Sequence, residues 1–368
     1  MVHGVKWGIF VLAATFAVHA PASAQKFVPF SCQNSFNPDQ TIREPVTACG
    51  RAVIGRELLI HNADVIRRVT AVSFGVGPAM IEPTGYGDVT QEQAAIPLQQ
   101  DSSAFVSPAA GSVAAAPAPS WNLWADGKYT WNDSSPAVFD LDGPLYSGMF
   151  GIDYKIGSRV TLGVMGSAES SHLKGSGLFP PDIKSDGLGI GPYFGVTLTP
   201  NIIWSGNFLY SNVDSSQNAF YHFDSERYQA ATAVTGYWFK DTWRFSPSVS
   251  LSWSKEYQSE NAGLAADETI EAAILSPSVQ IGDTLKLSDN ATVEPWIGAA
   301  LDWTFVNRVN DATLGVILDD PTTDLRFQGG VNFGFGSNVQ LALTAELGGL
   351  LLDNSSTYSG EANLAIQF

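Results

Sequence analysis

The side chains best suited to acid–base chemistry after residue 24 are three histidines, His61, His172 and His222. A nucleophilic site needs a hydroxyl or thiol beside such a base. His172 is the candidate, because it directly follows Ser170 and Ser171. The polar segment around it predicts a loop with a solvated imidazole, and we expect His61 to be an ordinary residue on a polar face. The sequence therefore predicts no catalytic site and no enzyme.

Metal and cofactor sites are not predicted either. The Asp319-Asp320 pair offers carboxylate oxygens, the ligands that Ca²⁺ prefers, but it lacks the spacing of a calcium-binding loop. Gly187, Gly189 and Gly191 form a glycine pattern, yet no helix follows them to hold a phosphate. We therefore expect solvated loop charges, no metal and no cofactor.

The two cysteines, Cys32 and Cys49, lie near the N-terminus. No pair of histidines accompanies them, which disfavours a zinc site. In an oxidising compartment two such thiols form a structural disulfide, and closing so short a loop contributes about 3 kcal/mol. We expect this disulfide in the exported chain.

The first 24 residues have the pattern of an export signal. A short segment with one lysine precedes an apolar run, and Ala22-Ser23-Ala24 is typical of a signal-peptidase site. We expect residues 1–24 to be removed. No later stretch is long and apolar enough for a spanning helix, which takes about 20 residues, so any membrane crossing must use strands.

Charge and composition divide the rest of the chain. The 36 acidic residues outnumber the 19 basic ones, giving a net charge of −17, which disfavours nucleic acid as a partner. Residues 25–102 contain the cysteines and an irregular helical stripe over residues 51–72. Residues 103–119 are rich in Ala and Pro and predict a flexible linker. Most aromatic residues lie in 120–368, which predicts a separate β domain.

Residues 243–254 show the clearest alternation of this β domain. Trp243, Leu251 and Trp253 share one face with other apolar residues, and serines occupy most of the other face. Residues 293–305 and 339–347 repeat the pattern. These runs are long enough for a tilted membrane strand, which needs about 9–11 residues, and aromatics at their ends are typical of membrane interfaces.

The number of strands and the lengths of their connections predict the architecture. We count about twelve strands between residues 120 and 368, joined alternately by short turns and longer polar loops. In outer-membrane barrels the short turns are periplasmic and the long loops extracellular. The sequence therefore predicts an all-β fold, an antiparallel transmembrane β-barrel of about twelve strands in the outer-membrane bilayer of a bacterium.

Small residues on the polar faces predict the character of the lumen. Twelve strands enclose more space than eight, whose interior side chains fill, and less than a sixteen-stranded channel. We expect small side chains to leave a narrow lumen that another segment can occupy. The residues predicted to face it are Gly187, Gly189, Gly191, Ser246, Ser248, Ser250 and Ser252.

The end of the chain is an alternating strand in which Leu364, Ile366 and Phe368 share one face. A spanning sheet cannot leave an unpaired edge in lipid, so we expect this strand to pair with the first one. We also interpret the three residues as a signal for the outer-membrane barrel assembly machinery, and Phe368 as an aromatic residue of the membrane interface.

The segment from residue 120 to residue 368 resembles the C-terminal β domain of autotransporters. The resemblance depends on the opening WNLWADGKYTW (121–131), on Gly151, Asp153 and Tyr154 in the second strand, and on Phe368. It implies a translocator that brings an N-terminal passenger to the cell surface. Prolines before the first strand depart from the family pattern and disfavour a helix threading the pore.

Two functions are open at this point. The chain is either a translocator that displays residues 25–102 at the surface, or a stand-alone pore, structural or adhesive barrel with a periplasmic N-terminal domain or plug. The first interpretation has the linker 103–119 crossing the barrel. The sequence identifies no surface ligand.

Overall fold

The computed structural model describes residues 44–76, 121–134, 141–175, 182–218, 221–258, 268–311, 316–319, 322–336, 338–352 and 355–368. Helix α1 spans Glu44–Ser73. The strands are β1 (Trp121–Ser134), β2 (Leu141–Ile156), β3 (Val160–Gly175), β4 (Asp182–Thr199), β5 (Ile202–Gln217), β6 (Tyr221–Gly236), β7 (Trp238–Lys240), β8 (Trp243–Gln258), β9 (Glu268–Asp283), β10 (Leu285–Ser288), β11 (Ala291–Asp311), β12 (Val316–Asp319), β13 (Thr322–Phe335), β14 (Val339–Gly348) and β15 (Ser355–Gln367).

Twelve of these strands build the wall, because three short segments continue longer neighbours. β7 pairs with β8 as β6 does, β10 pairs with β11 as β9 does, and β12 pairs with β11 as β13 does. All pairings are antiparallel. The predicted twelve-stranded antiparallel barrel is therefore confirmed.

The barrel is closed by its first and last strands. β1 pairs along its whole length with β2 on one side, and β15 pairs with it on the other. On the opposite wall, β9 pairs with both β8 and β11. No strand edge is left open among the long strands that the structure describes, as hydrocarbon surroundings require.

The two ends of the barrel differ. At one end, which we name the turn end, short turns join strands, as between Ile156 and Val160 and between Lys240 and Trp243. At the other end, the loop end, strands continue past the predicted loop boundaries. The sequence predicts one of the longer polar loops near residues 213–225, but residues 213–217 belong to β5 and residues 221–225 to β6. Alternation of apolar and polar residues indicates that one face of a strand contacts lipid; it does not report strand pairing. The alternation therefore stops where both faces of a strand are polar, even though the strand continues.

The outer surface of the wall is apolar across its middle. Leu188, Ile190 and Ile297 are more than 60% exposed, while their neighbours along the strands point inward. An apolar outer band is the surface that a bilayer covers. Helix α1, by contrast, is not apolar enough over any part of its length to span a membrane.

Helix α1 lies inside the barrel, although the sequence disfavoured a helix threading the pore. It contacts strands around the wall, including β1, β5, β8 and β15. The prolines behind that expectation lie outside the described residues, whereas the helix contains the stripe at residues 51–72. The helix ends at Gly75 (φ 77°), where Gly75 N–H donates to Val72 O and Val76 N–H donates to Ala71 O, both at 2.8 Å. This pair of hydrogen bonds is a Schellman motif.

Candidate functional site: the occupied lumen

The lumen wall is polar because alternate residues of each strand point inward. On β8, Ser246, Ser248 and Ser252 are buried and Ser250 is half-buried, whereas Leu251 between them is exposed. On β4, Gly187 and Gly191 are buried and Gly189 is half-buried. These small inward positions leave room for the helix inside.

One glycine of β4 shows this relation directly. A Cβ atom at Gly195 would lie 2.9 Å from Cγ2 of Thr70 and 3.0 Å from Cε2 of Phe74. Both contacts are closer than ordinary van der Waals distances allow, so the chain of α1 approaches the wall here as closely as glycine permits.

A buried arginine of the wall joins the helix to three strands. Arg326 of β13 contacts Asp302 of β11 (2.9 Å), Glu346 of β14 (2.6 Å) and Asp64 of α1 (2.9 Å). Lys128 of β1 contacts the same Glu346 at 3.0 Å. All these side chains are buried or nearly so. Charges removed from water must be paired, and here each has a partner.

At the loop end the helix contacts a second buried ion cluster. Arg51 of α1 forms an ion pair with Glu256 of β8, and its guanidinium lies over the ring of Phe223, 5.1 Å from the centroid. Arg227 of β6 bridges Glu256 (2.9 Å) and Glu169 of β3 (2.7 Å). The part of α1 around Arg51 therefore lies near the loops.

A third group lies against the closing strands β1 and β15. Both ring nitrogens of His61 of α1 are hydrogen-bonded to the wall. Nε2 lies 2.6 Å from Oδ1 of Asp126 of β1, and Nδ1 lies 2.8 Å from Oγ of Ser147 of β2. Arg68, two turns further along α1, forms an ion pair with Glu361 of β15. The helix is thus tied to both strands that close the barrel.

At the turn end the helix is held by a hydrogen-bond network. Ser73, the last residue of α1, donates to Asp153 of β2 at 2.9 Å, and Asn122 of β1 donates to Ser73 at 3.2 Å. Tyr193 of β4 also donates to Asp153, and it accepts a hydrogen bond from Trp124 of β1 at 2.6 Å. Asp153 is therefore the acceptor that joins the helix end to three strands.

Two glycines make room for the aromatic residues of this network. A Cβ atom at Gly151 would lie 2.6 Å from the indole of Trp124, and one at Gly163 would lie 2.4 Å from the ring of Tyr193. Large rings therefore lie flat against glycines of neighbouring strands. This packing explains Gly151 and Asp153 of the second-strand pattern. Gly151 leaves room for the indole of Trp124, and Asp153 accepts a hydrogen bond from Tyr193, to which that indole donates.

Apolar side chains of the helix pack between these polar contacts. Val65, Ile66, Val69 and Val72 are buried together with residues of the wall, which are Trp124, Met149, Met165, Tyr193, Leu209 and Ala365. Burying each such aliphatic side chain contributes roughly 1.5–3 kcal/mol. The helix is thus amphipathic in patches rather than along one stripe, because the lumen surrounds it with both polar and apolar surface.

Other residues singled out in the sequence do not meet at this site. His172 belongs to β3 rather than to a loop, and its Nε2 lies 2.7 Å from Oδ1 of Asp182 at the loop end. His222 is exposed on β6. Cys49 belongs to α1, while Cys32 and Asp320 lie outside the described residues. The disulfide therefore stays a prediction.

His61 is not the ordinary polar-face residue that we expected. Its side chain is 1% exposed, and both ring nitrogens are engaged by residues far away in sequence. The buried Arg326 was also missed. The sequence did contain an indication of its position. Arg326 lies among apolar and small residues of a predicted membrane strand, where a charged side chain can only face the lumen.

The space left beside the helix is small. A cavity of about 80 Å³ lies near its C-terminal half, lined by residues that include Arg67, Arg244, Trp296 and Asn332. Such a volume holds a few water molecules. In this part of the lumen, the helix and the inward side chains fill most of the cross-section.

A closed twelve-stranded barrel with an apolar outer band has the architecture of an outer-membrane β-barrel, here with a helix along its lumen. Residues 123–346, more than half of the 368 residues, match the model of the autotransporter β-domain. The chain belongs to this family, as the resemblance indicated.

Solved structures agree on the fold. The translocator domain of the autotransporter NalP from Neisseria meningitidis is 14% identical, with a TM-score of 0.52 over 68% of this chain and 89% of that one. The β domain of the Bordetella autotransporter BrkA is 14% identical, with a TM-score of 0.52 over 68% and 100%. The transport unit of AIDA-I from Escherichia coli is 12% identical, with a TM-score of 0.52 over 68% and 90%. No curated protein matches the chain.

Proposed function

We propose that this outer-membrane barrel translocates its own N-terminal segment and displays the residues before helix α1 at the cell surface. The observation that carries the proposal is the direction of the helix. Arg51 lies near the loop end, at Glu256, and Ser73 lies at the turn end, at Asn122. Since loops of such barrels are extracellular, this direction supports an extracellular position for the chain preceding Glu44.

The same contacts shorten the segment that we propose to be displayed. The first of the two interpretations of the sequence had residues 25–102 at the surface and the linker 103–119 crossing the barrel; the second had residues 25–102 in the periplasm or as a plug. Residues 44–73 lie in the lumen instead. Ser73 and Trp121, which flank residues 74–120 in the sequence, both lie at the turn end. We propose that residues 74–120 remain periplasmic and that α1 is the segment that crosses the barrel.

The test is a pair of epitope insertions in the full-length protein, one after Asp39 and one after Gln99. We expect antibody and external protease to reach the first tag on intact cells. The second tag should be reached only after the outer membrane is permeabilised. Both variants must also show the heat-dependent gel shift of a folded barrel, so that misfolded protein is not scored.

The alternative is a stand-alone barrel whose N-terminal segment is only a plug. The filled lumen favours neither function by itself, because a helix can enter from either side. A tag after Asp39 that is reached only after permeabilisation would support the plug and contradict display. Labelling of the Gln99 tag on intact cells would show that the helix direction is wrong.

A further inference from the structure

Three potential metal ligands converge where the helix meets the closing strands. His61 of α1, Asp126 of β1 and Glu361 of β15 are all buried, and one ligand atom from each lies within 4.8 Å of the other two. The ligands come from three separate elements. They therefore meet only when the helix is in the lumen and the barrel is closed.

The distances suit a small transition-metal ion. Zinc–ligand bonds to histidine and carboxylate are about 2.0–2.2 Å, so ligands of a tetrahedral site lie about 3.3 Å apart. Nε2 of His61 and Oδ1 of Asp126 are 2.6 Å apart, and Glu361 lies within the 4.8 Å limit. Side-chain movements of about 1 Å would place all three ligand atoms around one ion, with a position left for a further ligand.

Neighbouring residues orient the ligands in the way that metal sites require. A histidine that binds a metal through one nitrogen donates from the other to an oxygen. Ser147, itself buried, places its Oγ 2.8 Å from Nδ1 of His61, which leaves Nε2 directed at Asp126. Asn363 donates to the other oxygen of Asp126 at 3.2 Å.

The charge of the cluster also calls for a cation. Asp126 and Glu361 contribute two carboxylates to this buried space, and Arg68, in contact with Glu361, contributes one positive charge. With a neutral imidazole these four side chains carry a net charge of −1, and Lys128, which also interacts electrostatically with Glu361, is in an ion pair with Glu346. A buried charge of this kind must be neutralised. Either a proton shared with His61 or a bound metal ion can do so.

We propose that His61, Asp126 and Glu361 form a binding site for a divalent transition-metal ion of the Zn²⁺ class. One imidazole with two carboxylates suits Zn²⁺, Co²⁺ or Ni²⁺ better than Ca²⁺ or Mg²⁺, which prefer oxygen ligands only. The ion would join the helix to both closing strands. Resting on the proposed function, the ion would hold α1 in the lumen after translocation, and the site would no longer exist if the helix left the lumen.

Co²⁺ is the probe, because its visible absorption reports the number and type of its ligands without any functional assay. The full-length refolded protein, with its cysteines oxidised and EDTA removed, is titrated with CoCl₂, and Zn²⁺ is then added in competition. We expect saturation at one Co²⁺ per chain and displacement by Zn²⁺. The melting temperature of the barrel should rise with Zn²⁺ concentration.

Variants distinguish this site from surface binding. His61→Gln retains a hydrogen-bond donor for Asp126 but is a poor ligand, and we expect it to weaken Co²⁺ binding by more than about 100-fold. Ser147→Ala, which removes only the orienting contact, should weaken it by about 10–100-fold. His172→Gln is the matched control, because His172 also lies 2.7 Å from an aspartate, Asp182, but outside the lumen.

Three results would overturn the proposal: no stoichiometric Co²⁺ binding by the parent protein, equal binding by folded His61→Gln, or loss of binding in His172→Gln alone. A heat-dependent gel shift must show that each variant is folded. If the parent protein binds no metal while the tag after Asp39 is displayed, a shared proton occupies the site and the proposed function stands.

Discussion

Trp121 and Phe368 exchange two backbone hydrogen bonds at the turn end of the barrel. The N–H of Trp121 donates to the carbonyl oxygen of Phe368 at 3.1 Å, and the N–H of Phe368 donates to the carbonyl oxygen of Trp121 at 3.0 Å. This pair is the first rung of the β1–β15 ladder. Removing Phe368 would leave the backbone N–H and carbonyl of Trp121 without these partners at the membrane interface.

Deleting Phe368 should therefore lower the fraction of folded protein in the outer membrane. The deletion removes both the hydrogen bonds and the last aromatic ring. Phe368→Ala is the matched control, because it keeps the hydrogen bonds and removes only the ring. The heat-dependent gel shift of membrane fractions at low expression gives the folded fraction. If Phe368→Ala is as defective as the deletion, the ring rather than the backbone pairing is required, as an assembly signal would predict.

Leu251→Arg should destabilise the barrel by about 2–4 kcal/mol, because it places a charge on the outer face near the middle of β8. Leu251 is exposed on that face, with the turn-end residue Trp243 on the same strand and face. Trp243→Arg is the depth control, and near the interface it should cost about 0–1 kcal/mol. Urea unfolding in bilayers measures both. Equal losses would show that Leu251 does not lie at the centre of the bilayer.

Arg326→Met should destabilise the protein by about 3–5 kcal/mol, because it leaves buried carboxylates of Asp64, Asp302 and Glu346 without their common partner. Lys286→Met is the control, since Lys286 pairs with Asp289 at an exposed turn. It should change stability by less than about 1 kcal/mol. Thermal unfolding in detergent measures the difference. A small effect of Arg326→Met would mean that water enters the lumen and screens these charges.

Gly151→Ala should cost about 1–3 kcal/mol, the usual range for overpacking. The added methyl group would lie 2.6 Å from the indole of Trp124, which cannot move without losing its hydrogen bond to Tyr193. Gly127→Ala on the neighbouring strand β1 is the control, because no atom lies within 4 Å of the place that its added methyl group would take. Unfolding of the two variants is compared. Similar stabilities would indicate that the Trp124 ring has another position available.

The wall of the barrel could be predicted from the sequence because lipid imposes a simple rule on it. Residues such as Leu251 and Ser252 alternate strictly, since one meets hydrocarbon and the other the lumen. No such rule governs helix α1. Its surroundings change along its length from Glu256 to Arg326 to Asp153, so its polar and apolar residues follow no single periodicity.

The contacts of the site were hidden for the same reason. His61 and Asp126 are 65 positions apart in sequence, and their meeting depends on how far the helix is inserted. A shift of the helix by one turn would move His61 about 5.4 Å away from Asp126. A sequence pattern does not encode that position. The packing role of Gly151 and Gly163 could not be predicted either, because the rings that they accommodate, those of Trp124 and Tyr193, belong to neighbouring strands.

The contacts of α1 with both closing strands make helix docking and barrel closure reciprocal. His61 binds Asp126 on β1, and Arg68 binds Glu361 on β15, so the docked helix bridges the seam. By thermodynamic linkage, whatever free energy docking adds to the seam, the closed seam adds to docking. The seam amides should therefore exchange with solvent faster in any variant whose helix is loosened, even when the mutated residue lies on the opposite wall. In this protein the helix inside the barrel therefore also stabilises the closure of the wall around it.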